Sequence, residues 1–521
     1  MTVTHARGNA AWWCVLVALS VVLLMPLTLA DVPPLLDYPN HLARLFVLAF
    51  VGEDPVLARF YEPHWGIIPN LGLDLTVPPL LRVLPVHLVG RVVVGVTILL
   101  PVLGVVAYHR ALNGRLSYWP LASVLFAYNA LLLRGFLNFI ASIGLALLVA
   151  AVWIAWRERR PARGITVCAV GAVALFFCHL TGLLLFGILI SVHELMMLRT
   201  SPRTFEWAAR RIVALLVVFA LPAVLYAASD LGHMRGAAEF RSVAGKAHAA
   251  LTPVINYLWP LDLVTAAVCV AVPTLCLARR WCVVRFQAPL AMVVLALLFV
   301  ASPDGFKGTF DLDTRFIVML AFVAPAAIVP IALPRRAVWA IGGLFAVLFS
   351  TRMVVLMAVW HAWAADLSAF RSVIAAVQPG DVVLTVRLPR GLPSDRWTSI
   401  AAPGHLSDGT VTDTHLPALL LIEHRAWWPY LFDNASQQPI ETREPFRSLA
   451  QTVDASSDPI VLLNGDAPEM RLITHLLILG PAPAPSPDRL RFVAANGEAS
   501  LFAVTRDEIN PQRSRSPPPD H

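Results

Sequence analysis

The sequence predicts an α-helical polytopic membrane protein with about eleven transmembrane helices and a small C-terminal α/β domain outside the membrane. Three observations carry this. The 521 residues are 58% apolar and only 14% charged, against about 45–50% and about 25% in a soluble globular chain. Apolar runs near the roughly 20 residues that a spanning helix needs recur through residues 1–358. Beyond them the chain turns polar and acidic. With a mean hydropathy of +0.69, the composition excludes an ordinary soluble enzyme and a disordered chain.

The first apolar run, Ala11–Ala30, is long for a cleaved signal peptide, although Thr28-Leu29-Ala30 is faintly cleavage-like; it reads as a retained anchor. Further spans are expected near 86–107, 118–133, 136–156, 165–179, 181–198, 212–228, 253–278, 287–302, 316–334 and 337–358. The only interruption within 165–198 is His179-Leu180-Thr181-Gly182, so that stretch reads as two spans or as one long helix. The six cysteines lie in or beside apolar segments, without disulfide or metal spacing, and read as small packing residues.

The formal net charge of +7 is unevenly spread. Residues 359–521 hold 13 Arg, no Lys and 18 acidic residues, a net −5, which leaves +12 on residues 1–358. Alternate loops are basic: Arg110 and Arg115; Arg157, Arg159, Arg160 and Arg163; Arg199, Arg203, Arg210 and Arg211; Arg279, Arg280 and Arg285; Arg335 and Arg336. Positive residues mark cytoplasmic loops. The N-terminus is then cytoplasmic, and 31–85, Arg134, His179, 229–252, 303–315 and 359–521 lie on the other side. The basic balance is topological and gives no reason to expect a nucleic-acid partner. Heavy Arg and Ala usage suits a GC-rich bacterial genome and hence a bacterial inner membrane.

The tail reads as a folded domain over 359–507. Phe370–Val377 has helical spacing, Asp381–Val386 reads as a strand, and Pro459–Leu463 and Leu476–Leu479 are further short apolar runs. The proline-rich stretch 480–488 reads as a loop, and 508–521 as a disordered tail. In Glu423–Phe432, aromatic residues beside polar ones suit carbohydrate stacking, interface docking or, most simply, a domain core. Asn434-Ala435-Ser436 matches a glycosylation sequon that carries no weight in a bacterial chain.

Loop 31–85 is far longer than ordinary connections, and such loops are functional or disordered. After Pro39, Leu42, Leu45, Phe46 and Ala49 share one helical face, which predicts an amphipathic helix at the membrane surface. Asp37, His41 and Arg44 gather at its start. They read either as an acid or base beside an anion-binding cation, or as a capping Asp with a snorkelling Arg. Arg134 and Asn138 stand between two spans, where a cation needs a partner, water or headgroups. His179 sits in an apolar run without a second His at metal-pair spacing. Loop 303–315 packs Asp304, Asp311 and Asp313 with Lys307 and Arg315. Asp311 and Asp313 suit a divalent cation, although the calcium-loop pattern is incomplete; Lys307 and Arg315 suit a phosphate; a solvated charged loop fits as well. Glycine-rich phosphate loops, GxSxG and HExxH are absent from the sequence.

The layout of residues 1–360 resembles the GT-C superfamily of polytopic glycosyltransferases, which includes protein mannosyltransferases and bacterial aminoarabinose and lipopolysaccharide-core transferases. In that family a first span leads into a long outer loop, and an Asp or Asp-Glu follows within a few residues. Here Asp37 follows in Leu36-Asp37-Tyr38-Pro39, with Tyr38 where the family often has Glu, and the second outer loop lacks an Asp-Pro. The resemblance implies a polyprenyl-phosphate sugar donor, Asp37 as general base on an acceptor hydroxyl, and Arg44, Arg134, Lys307 and Arg315 as candidates for the donor phosphate. The acceptor is a glycan, lipid or protein. An active site outside the cytoplasm has no access to nucleotide sugars, which agrees with a lipid-linked donor. Two rival functions are a transporter or flippase of a lipid-linked or anionic substrate, and a non-enzymatic scaffold whose outer domain binds a partner. The first predicts ionisable residues near span midpoints and an internal repeat, of which the sequence has few and none evident.

Overall fold

The computed structural model describes residues 2–200, 204–233, 236–285, 287–388, 397–454, 468–480 and 490–505, with side chains from residue 10 onward. Among the described residues, eight helices are long and apolar enough to cross a membrane: Ala10–Thr28, Val86–Asn113, Leu137–Trp156, Pro161–Cys178, Leu180–Thr200, Phe205–Ala228, Trp259–Ala278 and Arg335–Ile374. Two shorter apolar helices, Trp119–Leu133 and Ala288–Ala301, and the helix Leu312–Ala327 fall on the other three expected spans. The protein is a multi-pass membrane protein. His179, in extended conformation, separates two helices, so 165–198 is two spans.

Each short helix has a local cause. Trp119–Phe126 is a 3-10 helix, which rises faster per residue than an α-helix, and Asn129 then caps Leu131 and Leu132 to start one last turn. The expected span 316–334 ends early because Ile328–Pro330 pairs antiparallel with Cys282–Val284. At the bundle centre, Val86–Asn113 and Leu137–Trp156 meet through glycine. A Cβ on Gly144 would lie 2.3 Å from the Leu100 carbonyl carbon, and one on Gly104 would lie 2.7 Å from the Gly144 oxygen. Small residues let spanning helices approach to backbone contact, where dispersion replaces the hydrophobic effect.

The last span does not stop at residue 358. Arg335–Ile374 is one helix of 40 residues, and Phe370 lies in its final turns, not in a separate helix. Buried Phe370, Val373 and Ile374 carry the bundle directly into the outer domain. That domain holds a four-stranded sheet in the order 383–387, 475–479, 499–504, 490–496, the first pair parallel and the others antiparallel. Trp427 and Trp428 are each 1% exposed, and Trp428 Nε1 donates to Thr385 Oγ1 at 2.8 Å. The aromatic stretch 423–432 is therefore in large part domain core. Pro459–Leu463, most of 480–488 and the tail 508–521 lie outside the described residues.

The helix expected after Pro39 forms at Tyr38–Phe50, but it does not lie on the surface. Tyr38, Asn40, Leu42, Ala43, Arg44, Leu45, Phe46 and Val47 are all buried. Asn40 shows why: its amide donates to Tyr430 O (2.8 Å) and accepts from Phe432 N–H (2.9 Å), so the outer domain covers the polar face. The exposed apolar residues of the loop come later, at Trp65, Ile67, Leu75, Leu80, Val83 and Leu84. The same loop adds a strand, Tyr61–Pro63, which pairs antiparallel with Ile440–Thr442 of the outer domain.

Candidate active site

Asp37 is the first residue of the site by construction of the backbone. It stands at the N-cap of Tyr38–Phe50 but makes no capping bond, so its carboxylate is not consumed by the helix. Its N–H donates to Arg134 O at 3.1 Å, and Leu36 N–H donates to Leu133 O at 3.0 Å. The approach depends on Gly135, at φ +90°, where a Cβ would lie 2.7 Å from Asp37 N. The first loop and the turn between two spans are thereby locked together, with Asp37 and Arg134 side by side. On its other flank, Asp37 Oδ1 lies 3.0 Å from His415 Nδ1 of the outer domain.

Arg134 opens a chain of charges. Its Nη1 donates to Asp311 Oδ2 (2.8 Å), and its Nη2 to Asp408 Oδ2 and Thr410 Oγ1 (both 3.2 Å). Asp311 is shared: its Oδ1 accepts from Arg241 Nη2 at 2.7 Å. Arg241 also binds Asp304 and, through Nε at 3.2 Å, Asp313. Lys246 Nζ completes the group, 2.9 Å from Asp313 Oδ2 and donating to Phe299 O and Ser302 O. Four carboxylates thus meet three permanent cations, with His248 Nε2 3.8 Å from Asp408. Burial pulls the Asp408 carboxyl upward, but His248, Arg134 and the Thr410 N–H and hydroxyl outweigh it and hold it down at about 2. At Asp304, burial is opposed by Arg241 and reinforced by Asp311 and Asp313, and the carboxyl lies above its ordinary value.

The expected residues divide into three sets. Asp37, Arg134, Asp311, Asp313 and Arg315 converge. Arg315 is buried under Asp311, with its guanidinium over the Phe136 and Phe139 rings (5.4 and 5.8 Å) and Nη2 donating to Phe310 O at 3.1 Å. His179 serves it: Nε2 faces Arg315 Nη1 at 3.2 Å while Nδ1 is engaged by Thr181. His41 is on the rim, edge-on to Phe432 at 5.4 Å. Burial first, then Arg44 and His415, hold it well below the ordinary imidazole value, so it is neutral at pH 7.

Three expectations are corrected. Arg44 does not face an anion site: it is 3% exposed and makes a two-pronged ion pair with buried Asp74, Nε–Oδ1 2.7 Å and Nη2–Oδ2 3.1 Å, so its charge is matched inside the protein. Lys307 turns away, donating to Leu231 O at 3.2 Å beside the Phe306 ring. Asn138 is a tie, donating to Asn70 O at 2.7 Å. As for a divalent cation at Asp311 and Asp313, the position between them is filled by the Arg241 guanidinium. Among the described residues, no group of three or more His, Cys, Asp or Glu is placed to hold a metal ion.

Sequence reasoning passed over Arg241, Lys246, His248, Asp408, Thr410 and His415. A signal existed for two of them. Arg241 and Lys246 are cations in a loop that the arginine distribution assigns to the cation-poor side, and Lys246 is one of only two lysines in the chain. The others arrive from the outer domain or the far end of a loop, with no local pattern.

The cluster leaves specific capacity unused. Arg134 Nε and Arg315 Nε are buried without a hydrogen-bond partner. Buried donors left unmade cost about 1–3 kcal/mol each, and they recur where a ligand supplies the acceptor. An apolar groove runs along the bundle between Trp119–Leu133, Trp259–Ala278, Leu312–Ala327 and the long last helix. Phe126, Val254, Cys269, Ile317 and Phe345 line it, together with Ala250, two residues after His248.

No protein-family model matches the chain, and no curated protein matches it in sequence. Solved structures do match it. ArnT from Cupriavidus metallidurans superposes in the apo state at a TM-score of 0.53, and bound to undecaprenyl phosphate at 0.51; each is 13% identical and covers 95% of this chain and 98% of ArnT. The arabinofuranosyltransferase AftD from Mycobacteria aligns at 15% identity and a TM-score of 0.43, over 96% of this chain and 42% of AftD. The bundle with its long first loop and covering C-terminal domain thus shares its fold with ArnT.

Proposed function

We propose that the protein is a membrane glycosyltransferase that moves a sugar from a polyprenyl-phosphate donor to an acceptor hydroxyl on the non-cytoplasmic face of a bacterial inner membrane. The observation that carries this reading is the pair of buried unpartnered guanidinium donors, Arg134 Nε and Arg315 Nε, with the uncapped Asp37 held against Arg134 by its backbone N–H. Such a site offers anion binding and proton abstraction together. The fold supports the reading, as does a neighbour crystallised with undecaprenyl phosphate. The apolar groove, lined in part by Ala250 two residues from His248, suits a polyprenyl chain whose phosphate lies at the cluster.

In this reading Asp37 takes the proton of the acceptor hydroxyl. The acceptor oxygen forms its bond to the anomeric carbon as the bond from that carbon to the phosphate oxygen breaks. The electron pair leaves on the phosphate, where Arg134 and Arg315 stabilise the developing charge, with Arg241 and Lys246 behind them. The residues of the site supply both functions without a nucleotide-binding fold.

The test is Asp37→Asn in the purified full chain in liposomes, with undecaprenyl-phosphate-linked pentoses and hexoses as donors, a bacterial envelope extract of lipids and glycans as acceptor, and acceptor-dependent release of undecaprenyl phosphate as the readout. Loss of general-base catalysis predicts a fall of about 10²–10⁴-fold. Wild-type release by Asp37→Asn removes Asp37 from the role.

A further inference from the structure

We infer that His415 is a positioning residue for Asp37, so that the base is fully assembled only where the outer domain is seated on the bundle. The inference rests on the glycosyl-transfer reading above and deepens it.

The geometry is specific. His415 Nδ1 lies 3.0 Å from Asp37 Oδ1, an ion-pair contact outside hydrogen-bond geometry, and is buried without a hydrogen-bond partner. The ring is held on two sides, edge-on to Phe432 (5.1 Å, 87°) and to Trp428 (6.0 Å, 71°). Those neighbours are fixed in turn. Trp428 is pinned to Thr385 of the sheet. Phe432 is tied by its N–H to Asn40, which lies one helical turn past Asp37 and also binds Tyr430 O. The helix that carries Asp37 and the outer-domain segment 428–432 therefore grip the imidazole between them. A ring so confined has little rotameric freedom to lose when it orients a carboxylate.

The chemistry follows from the donor count. With the proton on Nδ1, a small turn of the ring lets His415 donate to Asp37 Oδ1, and the same N–H serves in the imidazolium form. Asp37 Oδ2 is then the oxygen that meets the acceptor hydroxyl and takes its proton. His415 keeps its own proton throughout, and Asp37 later returns the extra one to water. The titratable groups facing His415 are Asp37 and His41 from the helix side. On the outer-domain side, Asp413 is bound to Arg387 and Asp433 to Thr442.

The experiment uses the full chain in liposomes, the donors named above and undecaprenyl phosphate release. Loss of an orienting partner costs about 10–100-fold in activity. We expect His415→Ala to lower kcat by that factor with KM changed less than about twofold. His415→Asn, whose amide N–H can replace Nδ1–H, recovers most of the rate. Equal rates for Ala and Asn overturn the proposal and leave His415 as packing. Asp37→Asn separates the two levels: if it is inactive while His415→Ala is wild-type, only this inference fails, and if it is active, the reading beneath fails. A measurement independent of turnover is the ¹⁵N resonance of the His415 ring in nanodiscs. It shifts in Asp37→Asn if the two side chains are in contact, and an unchanged resonance overturns the pairing.

Discussion

At the scale of residues, the site depends on which polar groups have unused capacity. Arg44 and Arg134 look equivalent in sequence, each an arginine outside the spans beside apolar residues. In the structure each keeps one buried nitrogen unpartnered, Arg44 Nη1 and Arg134 Nε, but Arg44 is matched one to one by buried Asp74, whereas Arg134 joins a network in which Asp311 is shared with Arg241 and Asp408 faces His248. The neighbours an arginine shares are therefore a better guide to a site than net charge or an unpartnered nitrogen alone. Gly135 makes a sharper residue-scale prediction. Its φ of +90° and its contact with Asp37 mean that Gly135→Ala adds backbone strain and a collision at 2.7 Å. Gly114, at φ +69° with open space around it, carries the strain without the collision. Both Ala variants should lose about 1 kcal/mol from the left-handed backbone. Only Gly135→Ala should also lose activity, by about tenfold or more, since roughly 1 Å of misplacement at a reacting group can cost that much. Thermal unfolding in detergent and undecaprenyl phosphate release compare the pair; equal activities would mean that the 134–135 turn does not set the position of Asp37.

At the scale of elements, the long last helix is held by one buried ion pair. Arg352 Nη1 donates to Asp262 Oδ1 (2.8 Å) and Thr265 Oγ1 (3.2 Å), and Nη2 to Val254 O (2.7 Å). The other Asp262 oxygen accepts from Asn256 N–H (2.9 Å) and the Ser407 hydroxyl (2.6 Å), so the pair joins two spans, a loop and the outer domain. Replacing it outright need not cost stability, but removing one partner strands a charge and costs about 3–5 kcal/mol. Arg352→Leu should lower the thermal midpoint sharply in detergent, and Arg352→Leu combined with Asp262→Asn should recover part of it. No recovery in the double variant would mean that the arginine acts through packing. Ser407 and Asn256 lie 145 and 6 residues from Asp262. The spans themselves were readable from sequence because apolar length and arginine bias are local properties. The end of the last helix was not, because Phe370, Val373 and Ile374 are apolar for the outer-domain core as much as for the membrane. The supposed surface helix failed for the same reason: amphipathicity shows that a face is buried, not what buries it.

At the scale of the whole molecule, the candidate site is a junction of three parts. The first loop brings Asp37, the bundle brings Arg134, Arg241, Lys246 and Arg315, and the outer domain brings Asp408 and His415. Residues beside span ends were legible as candidates, since an ion at that depth needs a reason. Asp408 was not, because it meets Arg134 across 274 residues of sequence. The junction is closed by the strand pair 61–63 with 440–442 and by the group Asp31, Arg371 and Glu423, with His87 beside it. All of these contacts gather at the end of the bundle opposite the arginine-rich loops, which gives the topology a direct test. Glu441→Cys, in the strand that joins loop to domain, should react with a membrane-impermeant thiol reagent applied to the periplasmic side of intact inner membranes. Arg159→Cys, exposed in a basic loop, should react only after the membrane is opened. The native cysteines all lie in or beside apolar segments and give the background. Equal labelling of both sites, or labelling of Arg159→Cys alone, would put the site on the side where nucleotide sugars are available, and the argument for a lipid-linked donor would fall with it.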